Sequence, residues 1–291
     1  MLSAGELSLL SRLDLVYRRP QRGLYAGERR SAHAARSPEF ADFRPYVSGD
    51  DFRQLDWKAY ARLERLVLRL YVAEEEACLN VLLDRSASMG LGDPAKWPAA
   101  RKLGAALCVL GLTAMDRVQV GTLDGKRLAP LRGREGVSRI WDFLAALEPE
   151  GAVGPEQLVA MRWLRPGMTI IISDFLVGGP EAGAGADWGP ALAACRSRRQ
   201  EPVLWQVLAP EEEDPWLAGD VTLIDVESGQ KRELTITPAL VDEYVRGLAA
   251  HRARLTQAAA AGQGRFLHSS SDEDVEAAML IGLRAGVVQR A

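Results

Sequence analysis

Cysteine is scarce in this chain: Cys78, Cys108 and Cys195 are odd in number, isolated and set in apolar stretches. That pattern argues against a disulfide framework or a thiolate metal centre, and predicts three small core residues in a reducing, cytoplasmic setting. Histidine is equally scarce, and none of His33, His251 and His268 can be paired with a nucleophile from sequence. Neither sign of charge dominates; a formal net charge of −3 gives no global argument for a nucleic-acid partner. No apolar run reaches the roughly 18 residues of a membrane span. The most apolar segment, 99–115, is interrupted by Arg101 and Lys102, and the first residues lack the cationic, apolar and small-residue order of a signal peptide. Also missing are a Gly-x-Ser-x-Gly elbow, a His-Glu-x-x-His helix, a Gly-x-x-x-x-Gly-Lys-Ser/Thr phosphate loop and a Gly-x-Gly-x-x-Gly turn after a strand.

What is present is the composition of a globular protein, 47% hydrophobic and 26% charged, over 291 residues that can bury a substantial core. Residues 1–75 are arginine-rich, with Arg12, Arg18, Arg19, Arg22, Arg29, Arg30 and Arg36 outnumbering nearby acids. Leu66, Leu68, Leu70 and Val72 alternate there with other residues, the period of a half-exposed strand. This region is expected to be a β-rich N-terminal extension packed on a main domain at 76–291.

In the main domain, strands predicted at 78–83, 118–123, 168–173 and 203–209 alternate with helices at 97–115, 136–147, 155–164 and 189–200. Such alternation predicts an α/β fold with a mostly parallel sheet covered on both faces. Residues 221–226 and 231–237 flank Gly229 as a hairpin insertion. A long helix over 238–261, a short strand at 266–267 and a helix begun by Asp272 complete the pattern.

Two strands end in acid. Cys78–Leu83 runs into Asp84-Arg-Ser86-Ala-Ser88, and Met168-Thr-Ile-Ile-Ile-Ser runs into Asp174. If the strands are parallel neighbours, Asp84, Ser86, Ser88 and Asp174 converge where open α/β sheets bind ligands. All four offer hard oxygen donors, the type suited to magnesium, calcium or manganese. The structural alternative is a strand end whose serine caps the next helix. A second cluster, Arg44 to Arg62, has two readings. Arg44 and Arg53 can join Asp50, Asp51 or Asp56 in a network that pins the extension, or they can line a partner-docking patch with Trp57 and Tyr60 as anchors.

Taken together, Gly27-Glu-Arg-Arg-Ser31, Glu39-Phe40, Asp42, Arg44-Pro-Tyr46, Ser48-Gly-Asp50-Asp-x-Arg53-x-x-Asp56-Trp57, Ala61-Arg62 and Glu74-Glu75 resemble the bacterial and archaeal family known as domain of unknown function 58. Asp84-x-Ser-x-Ser-Met89, Asp116-Arg117-Val118 and Ile172-Ser-Asp174-Phe extend the resemblance over most of the chain. It implies a doubly wound sheet of the von Willebrand factor A type and a metal-ion-dependent adhesion site. In that site Ser86 and Ser88 would contact a magnesium or other divalent cation directly, and Asp84 and Asp174 largely through water. The wider fold also uses a loop threonine, which Glu150-Gly-Ala-Val-Gly-Pro155 does not offer; either Glu150 or water substitutes, or metal binding is weakened or lost.

Members of the family resemble adaptors that accompany MoxR-type AAA+ ATPases. The expectation is a non-enzymatic, cytoplasmic protein-interaction adaptor acting with such an ATPase in chaperone or complex-remodelling work, a partner carboxylate completing the ion's coordination. The alternative is a magnesium-dependent hydrolase or phosphoryl-transfer enzyme using the same residues. Nucleic-acid binding through the N-terminal arginines ranks below the adaptor reading.

Overall fold

The computed structural model describes residues 2–17, 22–26, 40–47, 50, 55–74, 78–176, 186–226 and 229–291. The chain divides into two units, one made of Met1–Arg18 with Ala77–Ala291 and the other of Arg19–Glu76. Helix α1 (Ala4–Leu10) opens the larger unit behind a reciprocal cap: the Ser3 hydroxyl accepts the Glu6 N–H, and the Glu6 carboxylate accepts the Ser3 N–H. Strand β1 (Leu13–Leu15) follows.

The smaller unit contains β2 (Arg22–Ala26), β3 (Phe40–Pro45), α2 (Trp57–Leu63) and β4 (Val67–Glu74). β4 is central, antiparallel to β2 on one side and to β3 on the other. Asp56 starts α2, its Oδ1 accepting the N–H groups of Lys58 at 2.9 Å and Ala59 at 3.1 Å, so it is a helix cap. Arg44 Nη2 donates to Asp50 Oδ1 at 2.8 Å, and Asp50 Oδ2 accepts the Val47 N–H at 2.9 Å. Those two donors hold the Asp50 carboxyl below the usual carboxylate range.

From β5 (Cys78–Leu83) onward the larger unit alternates strand and helix. A 3-10 turn (Ala87–Gly90) leads to α3 (Lys96–Thr113), β6 (Arg117–Thr122), α4 (Gly136–Ala145), α5 (Pro155–Ala160) and β7 (Gly167–Ser173). Next come α6 (Gly189–Ser197), β8 (Gln200–Leu208), the single turn α7 (Pro210–Glu213) and the antiparallel hairpin β9 (Gly219–Ile224) and β10 (Lys231–Ile236). The unit ends with α8 (Pro238–Ala261), β11 (Arg265–Ser270), α9 (Val275–Arg284) and β12 (Val288–Arg290).

Five strands form one parallel sheet in the order β11-β8-β7-β5-β6. Side chains alternate across it, as the pleat requires. Leu79, Val81 and Leu83, with Ile170, Ile172 and Trp205, join a core built with α3, α4 and α9. Leu82, Ile171 and Leu204 face the other way, into a core with Leu158, Leu192 and Leu255 from α5, α6 and α8. Helices therefore cover both faces, as expected of a doubly wound α/β fold. Each fully buried leucine or isoleucine contributes on the order of 2 kcal/mol, so the two layers supply the main driving force. The second face also hides Asn80, whose Nδ2 donates to Thr169 Oγ1 and to the Arg165 carbonyl, both at 3.0 Å. These bonds remove the cost of burying that amide.

Several boundaries differ from those read in the sequence. Residues Met1–Arg18 belong to the larger unit rather than to the extension, because β1 pairs antiparallel with β12, Leu13 opposite Arg290 and Leu15 opposite Val288. A three-residue strand leaves no period to detect. β8 starts at Gln200, opposite Gly167 of β7 and ahead of its apolar run, and buried Glu201 there is ion-paired with Arg265 on β11. The last helix begins after Asp274, whose side chain accepts the Ala277 N–H at 2.8 Å.

At the start of β7, Gly167 has φ +141, and an added Cβ would overlap the Cys78 carbonyl oxygen. Gly167→Ala is therefore expected to cost at least about 3 kcal/mol in urea unfolding, combining a disallowed backbone with a broken β5–β7 approach. A change below about 1 kcal/mol would show that this approach does not constrain the sheet.

Candidate functional site

The chain passes from β5 to β6 on one side and then returns to place β7 on the other side of β5. The strand order therefore reverses between β5 and β7, which leaves a crevice beyond their carboxyl ends. Both predicted acidic strand ends lie there. The register sets Leu83 opposite Ile172, and the Asp84 N–H extends the ladder to the Ile172 carbonyl at 2.8 Å.

Short polar side chains shape each strand end by bonding their own downstream backbone. Asp84 Oδ1 accepts the Ser86 N–H at 2.7 Å; Ser173 Oγ accepts the Phe175 N–H at 2.9 Å; Asp174 Oδ1 accepts the Leu176 N–H at 3.1 Å. Ser173 then ties the two ends together, its hydroxyl donating to Asp84 Oδ2 at 2.6 Å. The hydroxyls of Ser86 and Ser88 lie 3.0 Å apart in mutual contact, Ser86 buried and Ser88 half-buried. Asp84 and Asp174 are both almost wholly buried.

Sequence reasoning missed the charges around this pair. Lys96, the first residue of α3, is 1% exposed, and its Nζ donates to Asp174 Oδ2 at 2.8 Å and to Glu212 Oε1 at 2.6 Å. Glu212 Oε2 in turn accepts the Ala209 N–H at 2.8 Å. Burial alone would lower the lysine's pKa, yet the two carboxylates raise it above the usual value; burial pushes the Glu212 carboxyl up. Arg85, 4% exposed, braces the neighbouring loops. Its guanidinium donates to Asp124 beyond β6, to the Glu148 carbonyl at 2.8 Å and to the Glu150 carboxylate.

A signal for Lys96 does exist in the sequence: a cation at the amino end of a helix opposes the helix dipole, so it implies a specific acidic partner. Glu212 carries no such mark, since Glu211-Glu-Glu213 resembles a solvated acidic run.

All four carboxylate oxygens of Asp84 and Asp174 thus already accept protein donors, and Asp174 carries its own counter-ion. Glu150, the possible substitute for the absent loop threonine, is engaged by Arg85 and by Lys126 at 3.3 Å. Among the described residues, no group of three or more His, Cys, Asp or Glu side chains is arranged to hold a metal ion. The donor types suit a hard cation, but the arrangement does not fit a resident one, because every carboxylate oxygen of Asp84 and Asp174 already accepts a protein donor and Asp174 is already paired with the Lys96 ammonium.

The other predicted cluster lies in the smaller unit. Trp57 and Tyr60 are 61% and 43% exposed, with ring centroids 6.2 Å apart in an edge-to-face contact. Arg44 pairs with Asp50, as above, while Arg53 and Asp51 fall outside the described residues.

Residues 42–254 match the family model described as protein of unknown function DUF58. The uncharacterized proteins Mb1516 of Mycobacterium bovis and Rv1480 of Mycobacterium tuberculosis are each 30% identical over 280 residues, covering 92% of this chain and 83% of their own. Among solved structures, an aerotolerance-related membrane protein from Bacteroides fragilis aligns over 72% of this chain and 98% of its own, with 16% identity and a TM-score of 0.43. BatB from Bacteroides thetaiotaomicron aligns over 70% and 95%, with 16% identity and a TM-score of 0.40.

Burial, and then the nearby Asp174 charge, push the Asp84 carboxyl up to about 6, despite bonds from Ser173 and Ser86 that favour its anion. The folded state therefore binds the Asp84 proton more tightly than the unfolded state, whose ordinary value is 3.8. Stability from this group is present below that value and is lost as pH rises through the folded value. Asp84→Asn should accordingly gain stability relative to the parent between pH 4 and 7, by up to about 3 kcal/mol. Urea unfolding at both pH values reads this directly, and a pH-independent difference would contradict it.

Proposed function

Since the chain belongs to the DUF58 family, we propose that it is a protein-interaction adaptor of von Willebrand factor A type whose docking point is the Ser86–Ser88 rim. The observation that carries this reading is the division of labour at the crevice. The buried carboxylates are consumed internally, while Ser88 remains half-buried at the surface with its hydroxyl against that of Ser86. Leu91, whose N–H donates to the Ser88 carbonyl at 3.1 Å, is 47% exposed, and Leu176, whose N–H donates to Asp174, is 39% exposed. Hydroxyls and exposed leucines on the loops of one crevice combine hydrogen-bonding groups with apolar surface, the composition of an interface centre.

The chemistry supports docking over catalysis. Among the described residues, no histidine bonds to either serine, and the carboxylate beside Ser86, that of Asp84, is already held by the Ser173 hydroxyl and the Ser86 N–H. His251 on α8 is buried with Nε2 unpartnered, and burial lowers its pKa; the three cysteines are buried as well. A nucleophile needs a base within hydrogen-bond reach. The partner we propose is a MoxR-type AAA+ ATPase, the association that the family resemblance implies, with chaperone or complex-remodelling work as the outcome. Trp57 and Tyr60 of the smaller unit supply exposed aromatic anchors of the kind that concentrate binding energy.

The test is capture of the organism's purified MoxR-type ATPase by this immobilised chain. Capture should fall at least about tenfold for Ser86→Ala with Ser88→Ala. Undiminished capture by the double variant would remove the rim from the interface, and no capture by the parent would remove the partner.

A further inference from the structure

We propose that Lys96 is the resident cation of the carboxyl rim, so that the crevice is assembled without a divalent metal ion. The ammonium does what an ion would do there: it gathers two acidic groups from different elements, buried Asp174 after β7 and half-buried Glu212 on α7, and neutralises them. An uncompensated buried lysine is strongly unfavourable, and so is an uncompensated pair of buried carboxylates. Each becomes tolerable only with the other.

The location makes this more than an ordinary ion pair. Asp174 is the carboxylate that Ser86 and Ser88 would have to share with a bound ion. Its Oδ2 is committed to Lys96 at 2.8 Å and its Oδ1 to the Leu176 N–H at 3.1 Å. Asp84 is committed in the same way, to Ser86 N–H and to the Ser173 hydroxyl. An incoming divalent ion would have to displace a tethered cation that is already present at very high local concentration. The lysine arrives at the start of α3, and a bond from its own N–H to the Leu91 carbonyl at 3.1 Å fixes its backbone there.

Removing the ammonium should create the vacancy that the parent lacks. In Lys96→Ala, Asp84, Asp174 and Glu212 remain with two serine hydroxyls, a set of hard donors with net negative charge. The experiment is calorimetric titration of the full chain with magnesium chloride and manganese chloride. It is paired with thermal melts of the parent in chelator and in excess magnesium.

The parent should show no saturable heat in the millimolar range and the same melting temperature in both buffers. Lys96→Ala should bind manganese at least about tenfold more tightly than the parent, while Lys96→Arg, which keeps a cation, should not gain. Micromolar binding by the parent, lost in the double serine variant, would overturn the proposal. So would a melting temperature that chelator lowers and magnesium restores, a measurement that stands even if Lys96→Ala fails to fold. A folded Lys96→Ala without any gain would overturn it too. These readouts involve no partner protein, so failure of ATPase capture and failure of the lysine assignment are separate results.

Discussion

Two buried carboxylates at the ends of adjacent strands repel each other, and the crevice depends on how that repulsion is contained. Ser173 ties Asp84 to the neighbouring strand, and Lys96 cancels the charge of Asp174. Asp84 still binds its proton unusually tightly, first because it is buried and second because the Asp174 charge lies near. The sheet supplies the geometry of the crevice, but α3 and α7 supply its electrical balance. A site of this kind is a property of four elements, although its acidic strand ends lie on two.

The β5–β7 part was legible beforehand, because strong apolar runs end abruptly in Asp and the alternation of elements implies parallel neighbours. The long helix at Pro238–Ala261 and the hairpin around Gly229 were legible for similar reasons of period and turn chemistry. Less visible were polar residues doing structural work inside strands. Asn80 satisfies its amide across the sheet, and buried Glu201 near the start of β8 is ion-paired with Arg265 of β11. Pairing across long sequence separations leaves no periodic trace, which is why Glu212 was indistinguishable from a surface acid. Lys96 was different: its conflict with the helix dipole was readable, although its partners were not.

The same contrast separates the two regions that suggested binding. At the crevice, side chains are locked by bonds whose partners are buried, so the half-buried Ser88 hydroxyl is presented with little freedom to lose on contact. In the smaller unit, Asp56 fixes the start of α2 and Arg44 fixes Asp50, which leaves the aromatic pair Trp57 and Tyr60 on a short, capped helix. Rigid presentation and aromatic area are different routes to affinity, and the chain holds one of each in its two units.

The pairing of β1 with β12 has a consequence for synthesis. Strands from opposite extremes of the sequence complete one another, so the larger unit cannot finish folding as the ribosome delivers it. The parallel sheet can form once β11 has emerged, but its closing seam waits for the final residues. During that interval the Arg19–Glu76 segment is already free to form its own three-stranded sheet, whose strand partners all lie within that segment. Order of emergence thus favours the inserted unit maturing before the larger unit whose sequence it interrupts.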